Sequence, residues 1–222
     1  MTLTPDPRRP TRLPDLASTV RGALDALLDS ARIGHFGLVD DQGAPMVLPT
    51  AVVRDGDRVL AHGSTGSRWM RRLAGGAPTA LAVTAFDGVV VARSAFESSI
   101  RYRSAVLFGR CSVVAGDDDD DDKERVLDLV TEALLPGRVA EVRRPTKAEL
   151  AATLVLALPI DDWSLKVSDG WPEDEPDDVA GEAWAGVVPL GEAYGDPQPA
   201  PDLRPGIDVP ESVRRLRTVS PA

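Results

Sequence analysis

Residues 33–73, IGHFGLVDDQGAPMVLPTAVVRDGDRVLAHGSTGSRWMRRL, decide the fold, because three β-rich runs separated by turns give way to a helix. Ile33 to Val39 and Ala44 to Val53 flank Asp40-Asp41-Gln42-Gly43, and Arg58 to His62 follows the Asp55-Gly56 turn. That order predicts an antiparallel meander. Pro49 lies inside the second run and cannot donate to a ladder. Its position should be a sheet edge, a bulge, or a place where a ligand replaces a neighbouring strand.

The end of the stretch, AHGSTGSRWMRRL (61–73), places hydroxyls and arginines where the strand becomes a helix. Ser64, Thr65 and Ser67 can cap the helix or donate to an anion, and Gly63 and Gly66 allow close approach of backbone N–H groups. Arg68, Arg71 and Arg72 follow. No acid occurs from Arg58 to Phe86 in a chain of formal net charge -10, so the local field opposes the global one. These features suit a phosphate; an ordinary N-cap with a solvated basic face is the competing reading. Neither a P-loop ending nor G-x-G-x-x-G is present.

Upstream, Val20, Leu24, Leu27, Leu28 and Ala31 recur at helical spacing and predict a helix from about Ser18 to Ala31. Downstream, Gly75-Gly76 closes the basic helix. A hairpin is then expected from Thr79 to Ala95 around Asp87-Gly88, with a strand from Tyr102 to Val114. Val126, Leu127, Leu129, Val130 and Leu134 mark a helix stopping near Pro136-Gly137, and Thr146 with Glu149 forms a capping box. Thr153 to Pro159 and Trp163 to Val167 read as strands, Trp184 to Leu190 is the last apolar segment, and Glu211 to Arg217 is a short helix in a proline-rich tail. The fold class is mainly β with α, a small barrel of six or more antiparallel strands decorated by peripheral helices. Such a barrel is filled by its own side chains, so a large ligand must sit on its rim or between two copies.

At 222 residues with 43% hydrophobic content, the chain fits one folded domain at 16–190, between an N-terminal arm at 1–15 and a C-terminal tail at 191–222. No apolar run approaches the roughly 20 residues of a membrane span, and the N-terminus lacks an export signal, so a cytoplasmic location is expected. One cysteine, Cys111, excludes an internal disulfide and reads as a small core residue. The two histidines have no metal-site spacing, so no metal is expected. Asp117 to Asp122 and the acids of 173–178 contribute eleven of the 35 acids; without them 24 face 25 bases. Both runs are expected in exposed connections. Nothing supports nucleic-acid binding.

The ordered motifs GHFGLVDDQGAPMVLPTAV, DGDRVLAHGSTGSRWMRRLAGGAP, DGVVVARSAF, YRSAVLFG, PTKAELAATLVLALPI and WAGVVPL span roughly Leu13 to Leu190. Together they resemble the pyridoxamine 5'-phosphate oxidase-like, FMN-binding split β-barrel proteins, in particular the flavin-nucleotide-binding and nitroimidazole-resistance-like branch. The resemblance implies a six-stranded split barrel and a homodimer with FMN at the subunit interface. It places Pro49 and Thr50 along the flavin, His62 and Gly63 beside its ring, and Ser64, Ser67 and Arg68 on its phosphate. Tyr102, Arg103 and Ser104 match the family's Y-R-S element near the same cleft, and Trp184 its late W-A-G.

Each assignment has a plainer alternative: His35 as a core histidine, Arg103 paired with Glu97 or Asp87, Trp184 in the core. Family members carry histidines and an asparagine before Y-R-S, where this chain reads Phe96-Glu97-Ser98-Ser99-Ile100-Arg101. Glu97 is thus the one candidate catalytic acid or base. The implied activity is an FMN-dependent oxidoreductase acting on a small molecule, with transient NAD(P)H. The rim of Val52, Phe96 and Ile100 suits a flat acceptor, with Arg101 selecting an anionic group. A non-catalytic flavin- or haem-binding module is the alternative, with His62 as the haem ligand; a deazaflavin is a further cofactor choice.

Overall fold

The structure, a computed structural model, describes residues 14–114 and 120–216. Most of the expected N-terminal arm, Asp117 to Asp119 and the end of the tail therefore lie outside the described residues. Ten strands form one antiparallel sheet: β1 (Ala17–Ser18), β2 (Ile33–Val39), β3 (Pro45–Asp55), β4 (Arg58–Ser64), β5 (Pro78–Val91), β6 (Ser99–Arg110), β7 (Ser112–Val113), β8 (Thr153–Pro159), β9 (Asp162–Ser168) and β10 (Gly186–Pro189). Six helices are interspersed: α1 (Arg21–Ser30), α2 (Arg68–Ala74), α3 (Asp120–Leu134), α4 (Lys147–Ala152), α5 (Pro176–Val179) and α6 (Glu211–Leu216).

The hydrogen-bonded path runs β1-β9-β6-β5-β2-β3-β4-β8-β7, with β10 added on β5. It curls around one core without closing into a continuous ladder. Two strands make the curl by changing partner. β3 pairs with β2 through Pro45–Ala51 and with β4 from Val52 onward. β6 ends at Arg110, and after Cys111 the chain re-pairs as β7 against β8. Leu24, Leu27 and Leu28 of α1 and Met70 and Leu73 of α2 plug the interior beside Phe36, Leu81, Leu107 and Leu156, all at 0–2% exposure. Burial of these side chains is the main favourable term in folding. Cys111 lies in this core and burial pushes its thiol up to about 11, so it is inert at neutral pH.

Three expectations need correction. The hairpin around Asp87-Gly88 does not form: β5 runs straight through it, and the pairing with β6 shifts register between Phe86 and Gly88. The Asp-Gly pair is a bulge. The extra residue leaves both Phe86 and Val89 half-exposed, opposite Tyr102 and Ile100 of β6. The Asp117–Asp122 run is not wholly a loop either, because α3 starts at Asp120. Carboxylates in a first turn are favoured by the unpaired N–H groups there, and Asp122 also accepts from Arg125 at 2.9 Å. Third, Val52 is not on a rim: it is 2% exposed, facing inward against the missing Cβ of Gly34.

The predicted capping box is present, with Thr146 accepting from Glu149 N–H and Glu149 accepting in return. Arg143 beside Glu149 then holds that carboxyl well below its ordinary range, at about 2. The tail is tied back at α6, where Ser212 donates to Glu141 from its N–H at 3.0 Å and its hydroxyl at 2.5 Å.

Strand alternation gives the sheet an unusual outer surface. The outward positions are Ile33, His35, Gly37 and Val39 on β2, with Pro45, Val47, Pro49 and Ala51 opposite on β3. On β5 and β6 they are Ala80, Ala82, Thr84, Phe86 and Val89, facing Phe108, Val106, Ser104, Tyr102 and Ile100. Among these positions His35 is the one ionisable group other than the Tyr102 phenol, and it is exposed, not a core residue; exposed Arg110, opposite Pro78 at the end of β6, is the next charge on this side.

Candidate functional site

The change of partner in β3 opens a slot. Val52 to Asp55 bond β4, but before them β3 turns to β2, while His62 to Ser64 of β4 continue beside β8. Between Pro49–Ala51 and His62–Ser64 the strands part, and each leaves an unpaired backbone edge. Exposed polar edges of this kind invite a ligand. Pro49 therefore sits where its missing N–H predicted, on a strand whose next neighbour has left.

Side-chain direction divides the candidates. Val59 and Ala61 point into the core, so His62 and Ser64 point outward, on the same surface as Pro49 and as Val155 and Thr153 of β8. Gly63 faces inward, where a Cβ would lie 3.5 Å from Met70, and can offer only backbone. Thr50 also alternates inward.

Ser64 leads into α2 through a turn in which its Oγ accepts from Gly66 N–H at 3.1 Å and its carbonyl from Ser67 N–H at 3.0 Å. The Ser67 hydroxyl makes no capping bond. Met70 and Leu73 bury one side of α2, and Trp69 packs on Phe36 with ring centroids 6.0 Å apart. The arginines are divided by that amphipathic arrangement. Arg72 is structural: its guanidinium pairs with Asp41 and donates to the Asp40 carbonyl at 3.2 Å. Arg68 and Arg71 are exposed and have no ion-pair partner among the described residues. Two neighbouring cations without carboxylates, beside the uncommitted Ser67 hydroxyl, suit an anionic ligand.

His62 is the most unusual side chain of the slot. It lies where the outer surface passes from the part beneath α3, packed on Leu60, Val155 and Val126, to the open part beside Ala51. Its Nδ1 is buried without a hydrogen-bond partner, and burial pushes its pKa below the ordinary 6.5. The ring is thus held neutral with a lone pair or N–H unused. An unfolded chain takes up a proton that the folded chain resists, so stability is full above pH 6.5 and falls as pH drops below it. Urea denaturation should show a smaller loss between pH 7 and pH 5 for His62→Gln than for the wild type; equal losses would disprove the assignment.

The Y-R-S element is elsewhere. Tyr102, Arg103 and Ser104 lie on β6, four steps along the sheet from β4, or about 19 Å at 4.8 Å per strand. Arg103 is engaged in a two-pronged pair with Asp87 at 2.8 and 2.9 Å, the structural alternative raised by the sequence. Glu97 lies on the β5–β6 connection, where its N–H bonds Ser94 Oγ at 3.1 Å. Trp184 precedes β10 and is 65% exposed, its indole lying where a Cβ on Gly186 would be. None of these lies on β3, β4 or α2, the elements that form the slot.

Sequence reasoning missed the strap from 169 to 190. The acids of 173–178 were expected in solvent, yet the Asp174 side chain is fully buried. It accepts from Arg93 N–H at 2.7 Å and from the Arg93 guanidinium at 2.9 Å. Burial of a carboxylate is tolerable only with such compensation. The available signal was an acidic run returning to an arginine 81 positions away, which spacing alone does not show.

The family model described as pyridoxamine 5'-phosphate oxidase matches residues 21–167, and the chain belongs to that family. The chain is 53% identical to the FAD and haem binding protein from Mycobacterium smegmatis, with 91% of this chain and 97% of that one covered at a TM-score of 0.85. It is 33% identical to the flavocytochrome Anf3 from Azotobacter vinelandii, covering 96% and 97% at a TM-score of 0.86. A candidate 5-nitroimidazole antibiotic resistance protein from Bacteroides thetaiotaomicron shares the fold at 16% identity, covering 68% and 86% at a TM-score of 0.56. No curated protein matches the chain.

Proposed function

We propose that this chain binds a flavin in the slot between β3 and β4, as a homodimer, and works as an oxidoreductase passing electrons to or from a small molecule. The observation that carries the reading is the pair of unpartnered arginines, Arg68 and Arg71, beside Ser64 and Ser67 at the mouth of a slot with unpaired strand edges. A phosphate fits those groups, and a planar ring fits the gap along Pro49 and Ala51. Two cations suit two phosphates, and a relative of near-equal length binds FAD, so FAD is proposed in place of the FMN expected from sequence. The flavin supplies hydride and electron chemistry when bound; the chain binds it, orients it and limits water.

His62 fits a haem on the same reasoning. A neutral imidazole with an unused nitrogen is the form that ligates iron, and relatives named for haem and for a flavocytochrome support it. A haem beside the flavin would make the protein an electron-transfer module, so the oxidoreductase and haem readings converge. No helix among the described residues is long and apolar enough to cross a membrane, and a cytoplasmic location remains part of the proposal.

Calorimetric titration of the apoprotein with FAD and with FMN tests the reading. Tighter binding of FAD supports it. Binding of neither contradicts the flavin assignment, and preference for FMN contradicts the two-phosphate reading.

A further inference from the structure

We propose that the strap from 169 to 190 is a docking arm for a basic protein, its exposed indoles seated against the partner and its carboxylates facing the partner's lysines and arginines. The docking is independent of the flavin reading; that such a partner exchanges electrons with the bound groups rests on that reading.

The charge of the chain is concentrated in one place. From Asp169 to Leu203 there are ten acids and no base, so the 25 acids elsewhere are matched by the 25 bases and the whole formal -10 resides in this segment. Asp174 is used internally, buried against Arg93. Asp169, Glu173, Glu175, Asp177, Asp178 and Glu182 are exposed and have no ion-pair partner among the described residues.

Acidity alone marks a solvated face. Here the acids are held in place and set among exposed aromatic side chains. The strap leaves the end of β9, crosses the ends of β6 and β5, and returns as β10 along the edge of β5 at Gly88–Val91. Gly170 accepts from Arg101 Nε at 3.1 Å, Asp174 accepts from Arg93 N–H at 2.7 Å, and Leu190 N–H bonds the Asp87 carbonyl at 3.0 Å. On this mount Trp171 is 71% exposed, with the Arg101 guanidinium 5.2 Å from its ring, and Trp184 is 65% exposed. Phe96, three residues beyond Arg93 on the β5–β6 connection, is 91% exposed. An aromatic side chain fixed before binding loses little freedom when it is covered, and aromatic anchors ringed by polar groups characterise interaction surfaces.

Charge also selects the occupant. Unpaired carboxylates repel nucleic-acid phosphates and anionic lipid headgroups, and no group of acids among the described residues converges as a metal site. The complement is a protein surface bearing lysine and arginine, whose approach six unpaired carboxylates accelerate. The strap lies outside the 21–167 of the family model, so the arm is an addition to the shared barrel.

Cytochrome c, a small basic protein, serves as the probe, with its binding to the full chain measured by titration calorimetry at low and at physiological ionic strength. Two variants remove six charges each from different places. One carries Asp169→Asn, Glu173→Gln, Glu175→Gln, Asp177→Asn, Asp178→Asn and Glu182→Gln; in the other, Asp117 to Asp122 are all asparagine. The strap variant is expected to bind about tenfold or more weakly and to lose most of the salt dependence, while the other binds as the wild type does. Trp171→Ala, which alters an exposed side chain, should weaken binding about fivefold at physiological ionic strength, where the charges are screened. A wild-type protein that does not bind the probe, equal losses in the two charge variants, or unchanged binding in the strap variant would overturn the proposal. A light-scattering mass that falls in the strap variant would also overturn it, by showing that a second copy occupies the arm.

Discussion

Replacing Arg68 and Arg71 together with alanine is expected to lower FAD affinity by about two to four orders of magnitude while leaving the fold intact. Each guanidinium stands to make a charge-assisted hydrogen bond to phosphate, worth roughly 1.5–3 kcal/mol, or about 10- to 150-fold. The cost to folding is small because both side chains are exposed and carry no ion pair among the described residues. Arg72→Ala provides the contrast. It removes the tie to Asp41 and the Asp40 carbonyl and should act on stability more than on affinity. Titration of the folded double variant checks the assignment, and an unchanged dissociation constant would move the phosphate elsewhere.

Gly88→Val is the substitution expected to cost the most stability for its size. A Cβ at that position would lie 2.5 Å from the Val188 carbonyl oxygen and 3.0 Å from Pro189 Cα, both backbone atoms, at a φ of +154°. Neither neighbour can rotate away, so β10 must leave the edge of β5 and give up the Leu190 N–H bond to the Asp87 carbonyl. Overpacking costs about 1–3 kcal/mol and backbone strain about 1–3 more. The β5–β6 pairing lies on the other side of β5 and should persist. A lower melting temperature with faster proteolysis confined to 169–190 is therefore expected. An unchanged melting temperature and cleavage pattern would show that β10 is not held at Gly88.

The elements that sequence reveals are those specified by local chemistry. β2 and β8 have the predicted limits because alternation is strong and turn residues bound both. The capping box at Thr146 is local by nature. Asp87-Gly88 misleads for a physical reason: the dipeptide that closes hairpins also suits a bulge, and β5 and β6 pair on both sides of it. Pairing partners are a long-range property that the dipeptide does not carry.

The site was legible in part for the same reason. Ser64, Ser67 and Arg68 are close in sequence, and their density against an acidic background marks a candidate anion site before any fold is known. Pro49 announced its open edge by lacking an N–H. The roles of the three arginines were not separable, because only the folded chain shows that Asp41 takes Arg72 and leaves Arg68 and Arg71 free. The burial of His62 depends on α3 and β8, elements 58 or more positions away from it along the chain, and Asp174 depends on Arg93.

An absorbance spectrum of the protein purified from cells tests the central claim most directly. Oxidised-flavin bands are expected together with a haem Soret band, the flavin bands lost in the Arg68→Ala, Arg71→Ala variant and the Soret band lost in His62→Ala. A spectrum without flavin bands that stays so after incubation with excess FAD and desalting would rule out a flavin in the slot between β3 and β4.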